Sequence, residues 1–244
     1  MATAGNIEAI RDWTNRFFYT KEEIAELFIN GTVDTNKADI FSIAPISIIN
    51  GRYVKSATDT LRNSFLFKTQ LNGTDAVDPF NNDPTNFKIS IKFKVLSKKS
   101  TGNQVLVSGL NNFQDIPSIV YFNNGNESVA VSWRYDGETT ENLMHITNSP
   151  LVIGNTYRAD LTCNNSVLVL SLYSASNDLI GTEQTQLTKN IKYSNSEVYA
   201  FGNTADSSNY SYANGLEFDL YNSYIISNGS IFWGNDYMNR ENLI

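Results

Sequence analysis

Beyond about position 65, apolar and polar residues alternate with a two-residue period. The clearest run is Phe87-Lys88-Ile89-Ser90-Ile91-Lys92-Phe93-Lys94-Val95, which turns one face to a core and the other to solvent. Further strands are predicted at 65–67, 104–110, 118–122, 128–133, 156–162, 167–173, 197–201, 216–220, 224–226 and 230–233. Asn123-Asn124-Gly125, Asp136-Gly137, Asn164-Asn165 and Asn228-Gly229 supply connectors that tolerate the positive φ of tight hairpins. Many short strands joined this way, with no long helical pattern between them, predict an all-β antiparallel β-sandwich or jelly roll.

The start of the chain has a different period. Ile7, Ile10, Trp13 or Thr14, and Phe17 recur every three to four residues among Glu8, Arg11, Asp12 and Arg16, which predicts a short amphipathic helix. Thr20-Lys21-Glu22-Glu23 fits a capping box for a second, with Ile24, Leu27 and Phe28 on its apolar face and Asn30-Gly31 as its stop. Helices this short are not stable alone in water, so their faces must dock, either on the chain's own β domain or on a neighbouring subunit or assembly. The expected organisation is a helical N-terminal anchor over 1–31, a connector over 32–62 and a sandwich domain over 63–244. Around Pro45 the connector alternates like one or two short edge strands that pair with a sheet.

Composition narrows the function. Only 18% of the 244 residues are charged, while Asn, Ser and Thr together make 76, so the surface stays soluble through amides and hydroxyls. A net charge of −7 argues against a nucleic-acid partner. No apolar run approaches the roughly 18 residues of a membrane span, so no membrane insertion is expected. Residues 1–10 lack the basic flank and apolar stretch of a signal peptide. Six Asn-x-Ser/Thr sequons match the number expected by chance.

Candidate chemistry is sparse. Cys163 and His145 are each the single residue of their type, which leaves little for disulfides, zinc sites or a His-based dyad, and neither a metal nor a cofactor is expected. His145 is placed between strands, as a surface polar residue. Asp75, Asp78 and Asp83 lie close in sequence but lack a calcium-loop spacing. A glycan hydrolase needs two carboxylates flanking the sugar bond. Glu217 and Asp219, two apart on one strand, are the nearest pair, and they read as a solvated polar face opposite Leu216, Phe218 and Leu220. Trp133, sharing a face with Val129 and Val131, reads as core, and Trp233 as structural. Two loops carry the aromatic and hydrogen-bonding mixture of sugar recognition: Arg134, Tyr135 and Asp136 at a strand end, and Asp206, Asn209, Tyr210 and Tyr212 in the 206–212 loop. Both also read as ordinary loops.

The C-terminal strand order goes further. Tyr212-Ala213-Asn214-Gly215-Leu216-Glu217-Phe218-Asp219-Leu220-Tyr221-Asn222-Ser223-Tyr224-Ile225-Ile226-Ser227-Asn228-Gly229-Ser230-Ile231-Phe232-Trp233-Gly234 resembles the closing strands of concanavalin A-like (laminin-G-type) domains in bacteriophage virion proteins. In that family such a segment returns the last strand to the first. Residues 152–162 are similar to the strand before the family's central hairpin, which would be 167–173 with 178–186. The likeness covers about 63–234. Glu217 between Leu216 and Phe218, and the insertion-like 205–211, depart from the pattern. The runs 7–13 and 18–24 look like the anchor segments that begin phage fibre proteins, which implies Ile10, Trp13, Phe17, Phe18, Ile24 and Leu27 as attachment residues.

The resemblance implies a non-enzymatic virion component, a tail or head fibre or appendage protein. Its N-terminus would bind other virion proteins and its sandwich would adhere to a host surface glycan. A homo-oligomer is expected, a trimer by analogy with fibres, although no heptad repeat supports a long coiled coil. The rival readings are a purely structural capsid or tail decoration or joining protein, and a glycan-degrading enzyme.

Overall fold

The computed structural model describes residues 31–32, 40–41, 47–49, 52–55, 65–68, 85–98, 103–109, 117–122, 127–147, 150–191, 198–201, 215–220, 222–227 and 230–233. The helices expected before residue 31 lie outside these. Among the described residues no helix occurs, and so none long and apolar enough to cross a membrane.

The strands in chain order are β1 (Gly31–Thr32), β2 (Ile40–Phe41), β3 (Ser47–Ile49), β4 (Arg52–Lys55), β5 (Phe65–Lys68), β6 (Asn86–Val95), β7 (Asn103–Gly109), β8 (Ser118–Phe122) and β9 (Ser128–Arg134). They continue as β10 (Glu141–Ile146), β11 (Thr156–Asn164), β12 (Val167–Ser174), β13 (Leu179–Gln186), β14 (Val198–Phe201), β15 (Leu216–Asp219), β16 (Tyr224–Ser227) and β17 (Ser230–Trp233). One sheet runs β1-β3-β4-β15-β6-β11-β12-β13, with β16 also on β6 and β17 on β16. The other runs β10-β9-β8-β7-β14-β5-β2, and all pairings are antiparallel. The connector stretch thus enters both sheets through β1 to β4.

One apolar core draws on both sheets. Phe87, Ile89, Ile91, Phe93 and Val95 of β6 share it with Ile119 and Tyr121 of β8 and with Val129, Val131 and Trp133 of β9. Each such side chain contributes about 2 kcal/mol by leaving water. The β6 alternation decides which face this is, because a slip of one residue would bury its three lysines. Asn165 (φ 49°) and Ser166 (φ 62°) form the two-residue hairpin between β11 and β12, with positive φ at both central positions as a type I′ turn demands.

Two features depart from the alternation. The seven-stranded sheet is buried on both faces where it is described: Val105, Ser118, Val120, Ala130 and Ser132, which point away from the shared core, are fully buried. The segment around His145 is a strand rather than a connector. β10 pairs with β9 in the register Glu141↔Arg134 to Ile146↔Val129. Its inward positions are Asn142, Met144 and Ile146, and its apolar Leu143 faces out at 45% exposure, which inverts the usual pattern.

Candidate functional site

The outer face of the ten-stranded sheet collects the charge that the core rejects. On β6 the polar phase places Lys88, Ser90, Lys92 and Lys94 there, and on β11 it places Arg158, Asp160 and Thr162 opposite them, in the register Lys92↔Arg158, Ser90↔Asp160 and Lys88↔Thr162. β15 adds Glu217 and Asp219, and β4 adds Arg52.

Two of these carboxylates are buried and saturated. Asp160 is 6% exposed; the Ser90 hydroxyl donates to it at 2.6 Å, Arg158 Nε at 3.1 Å, and Lys88 Nζ lies at 3.6 Å. Asp219 is 1% exposed and is held by Arg52 Nη2 at 3.1 Å, Lys92 Nζ at 3.5 Å, and both the backbone N–H and the side-chain amide of Asn222. Burying a carboxylate costs several kcal/mol unless donors surround it, and here they do. Ser223 ties the bend between β15 and β16: its hydroxyl donates to the Asp219 carbonyl at 2.7 Å and accepts from the Lys92 N–H at 3.0 Å.

Beside these pairs lies a cleft of about 280 Å³, lined by Lys92, Thr156, Arg158, Asn177, Asn222 and Tyr224 among others. The Arg158 guanidinium lies 4.3 Å from the Tyr173 ring centroid, and its Nη1 donates to Asn177 Oδ1 at 2.6 Å. Three neighbours therefore fix its plane. Asn177 sits at φ 67° on the β12–β13 turn, a conformation that asparagine tolerates. Lys88 Nζ sits 5.3 Å above the Tyr224 ring. Burial lowers the Lys88 pKa, but the Tyr224 hydroxyl and Asp160 together outweigh it, and the value is raised overall.

The residues singled out in the sequence fall elsewhere. Arg134 continues the outward phase of β9, whereas Tyr135 packs edge-on against Trp133 at 6.4 Å, and its hydroxyl accepts from the Thr188 N–H at 3.5 Å. Asp136 is exposed, its N–H bonded to the Asn190 carbonyl. The three do not converge. Asp206, Asn209, Tyr210 and Tyr212 lie outside the described residues, as do Asp75, Asp78 and Asp83 and the attachment residues Ile10, Trp13, Phe17, Phe18, Ile24 and Leu27.

Trp133 is core at 4% exposure. His145 is half-buried, with Nδ1 3.2 Å from the Ser128 hydroxyl and its ring against Phe122. The Glu217–Asp219 pair is not a solvated face, because Asp219 is buried beneath Arg52 and Lys92. Cys163 is a buried thiol outside any disulfide. Among the described residues, no three His, Cys, Asp or Glu side chains cluster to hold a metal. Lys92, Arg158, Asp160, Asn177 and Asn222 form no motif in the sequence. The one signal was Asp160 itself, an acid in mid-strand between Ala159 and Leu161 on a strand too central to leave it in water.

No protein-family model matches the chain, and no curated protein matches it in sequence. Solved structures do resemble it. The binding domain of botulinum neurotoxin DC, in complex with rat synaptotagmin II, is 11% identical, with 78% of this chain and 46% of that chain covered and a TM-score of 0.50. HCR/D-Sa-GBL1/C is 13% identical, with 87% and 51% covered and a TM-score of 0.51. The enzymatically active domain of bacteriophage CBA120 tailspike protein 2 is 11% identical, with 86% and 30% covered and a TM-score of 0.47. The chain spans about half of the first two and under a third of the tailspike chain. What the first two likenesses carry is the fold, an all-β domain of antiparallel sheets.

Proposed function

We propose that the chain is a structural bacteriophage virion component, a tail or head fibre or appendage protein. Its concanavalin A-like sandwich presents a glycan-binding face, and its N-terminal 1–31 attaches to other virion proteins. The observation that carries the adhesion reading is the cleft beside β6 and β11, where two amides, a guanidinium, an ammonium and a tyrosine ring converge. Sugars are held by this combination of directional donors and a ring edge. The virion assignment is supported by the sequence resemblance of the closing segment 212–234, within which β15 and β16 both pair with β6.

The reading is non-enzymatic. Asp160 and Asp219 are each enclosed by cations and hydrogen-bond donors, an arrangement that holds charge in place rather than passing protons to a substrate. In the rival decoration reading, the same face is only a charged surface that keeps the sheet in register.

Two measurements test these readings, the first the virion attachment and the second adhesion against decoration. A chain lacking residues 1–30, which leaves β1 whole, is expected to fold but to fail to enter particles; assembly of the truncated chain would remove the anchor. The intact protein is expected to bind members of a glycan array, and complete silence would favour decoration. Because β1 to β4 belong to the sheets, a fragment beginning at residue 63 is unsuited to either test.

A further inference from the structure

The charges on the outer face of the ten-stranded sheet are layered. The carboxylates lie at the bottom, with the Asp160 side chain 8% exposed and that of Asp219 2%. The cations lie above them: Arg158 is 29% exposed, Lys92 32%, and Arg52 and Lys88 36%. Lys94 adds a fifth cation in the same phase of β6. Against these five stand Asp160, Asp219 and Glu217, with Asp178 at the rim turned into the Ser174 and Ser176 hydroxyls of its own turn. Among the described residues, a chain of net charge −7 thus gathers a positive surplus here, and the surplus is on top. Arg158 directs Nε to Asp160 and Nη1 to Asn177, while among the described residues Nη2 has no partner. Lys92 borders the same cleft, with its ammonium engaged by a single carboxylate at 3.5 Å.

We infer that the cleft takes an acidic saccharide, with a carboxylate-bearing sugar received by Arg158 Nη2 and the Lys92 ammonium. This rests on the glycan-binding reading above and names its ligand class. A planar guanidinium fixed on three sides suits a carboxylate, because little order remains to be imposed when the ligand arrives. Asn177, Asn222 and Thr156 are left to the hydroxyls of the sugar ring. The cationic layer also draws an anionic polymer toward a face that the rest of the molecule would repel.

The test uses the full chain and three probes: two uronate oligomers and a sialylated oligosaccharide, each beside its methyl ester. Esterification keeps the sugar and removes only the charge. At low salt, calorimetry should show an acid form binding roughly tenfold or more tightly than its ester, an advantage that shrinks as salt is raised. Arg158→Gln should abolish that preference. Because this variant also removes a partner of Asp160, its thermal unfolding is measured alongside. Thr156→Val, which removes a cleft hydroxyl bonded neither to a buried carboxylate nor to Arg158, should weaken both forms alike. Esters that bind as tightly as the acids would overturn the acidic-ligand inference and leave glycan binding standing. If none of the probes bound in either form, the acidic-saccharide inference would fall, and the glycan array would decide the wider reading.

Discussion

Gly215 closes the entry to β15, and its backbone, at φ 80°, occupies a region that side-chain-bearing residues rarely adopt. Its carbonyl accepts from the N–H groups of Leu96 and Ser97, and a Cβ there would lie 1.9 Å from Ser97 Oγ and 2.9 Å from Ser97 N. Gly215→Ala should cost about 1–3 kcal/mol in denaturant unfolding, since the neighbour it meets is partly backbone. Asp160→Asn should cost about 2 kcal/mol: it strips charge from a site where Arg158 and Lys88 remain with nothing to neutralise them.

Glu127 offers a pH test. Burial would raise its pKa, but donors from Lys98, at 2.6 Å, and Tyr121 outweigh burial and hold it below the ordinary 4.5. A carboxyl with a lowered folded value stabilises fully above its unfolded value, and that contribution is lost as pH falls through the folded value. Glu127→Gln should therefore lower the urea midpoint at about pH 7, with the deficit shrinking toward about pH 3.

At the scale of elements, the strands legible in the sequence are those whose inward phase is uniformly apolar. β6, β11 and β12 end within two residues of the predicted limits, because Ile, Leu, Val and Phe hold one face and polar residues the other. β10 was illegible for a physical reason: Asn142 takes an inward position, and Leu143 faces out. Its place is set by its neighbours, through the register with β9 and through Gly181 of β13, above which Ile146 packs so closely that a Cβ would lie 2.5 Å from Ile146 Cγ2. Gly181→Val should therefore pry apart the edges of the two sheets and cost about 1–3 kcal/mol, with the loss partly recovered by Ile146→Ala in the same chain. A double-mutant cycle read by thermal unfolding checks this.

At the scale of the whole molecule, β15 and β16 lie along opposite halves of β6, and β15 carries Leu216 and Phe218 into the core shared by both sheets. A chain stopped before Leu216 should fail to reach a cooperative fold, and loss of the near-ultraviolet circular dichroism signal would register it. These strands were legible as alternating runs, but their pairing with β6 was not. Nor was the cleft, because its lining comes from β6, β11, the β12–β13 turn and the β15–β16 bend, which meet only after folding. Loops rich in aromatic and amide groups carry little signal in a chain where 32 asparagines make such loops common. The most direct measurement is a glycan array run with the wild-type full chain beside a Lys92→Gln/Asn177→Gly double variant of matched melting temperature. Binding by the wild type that the double variant loses is the predicted result; binding that the two substitutions leave intact would contradict the assignment of the cleft.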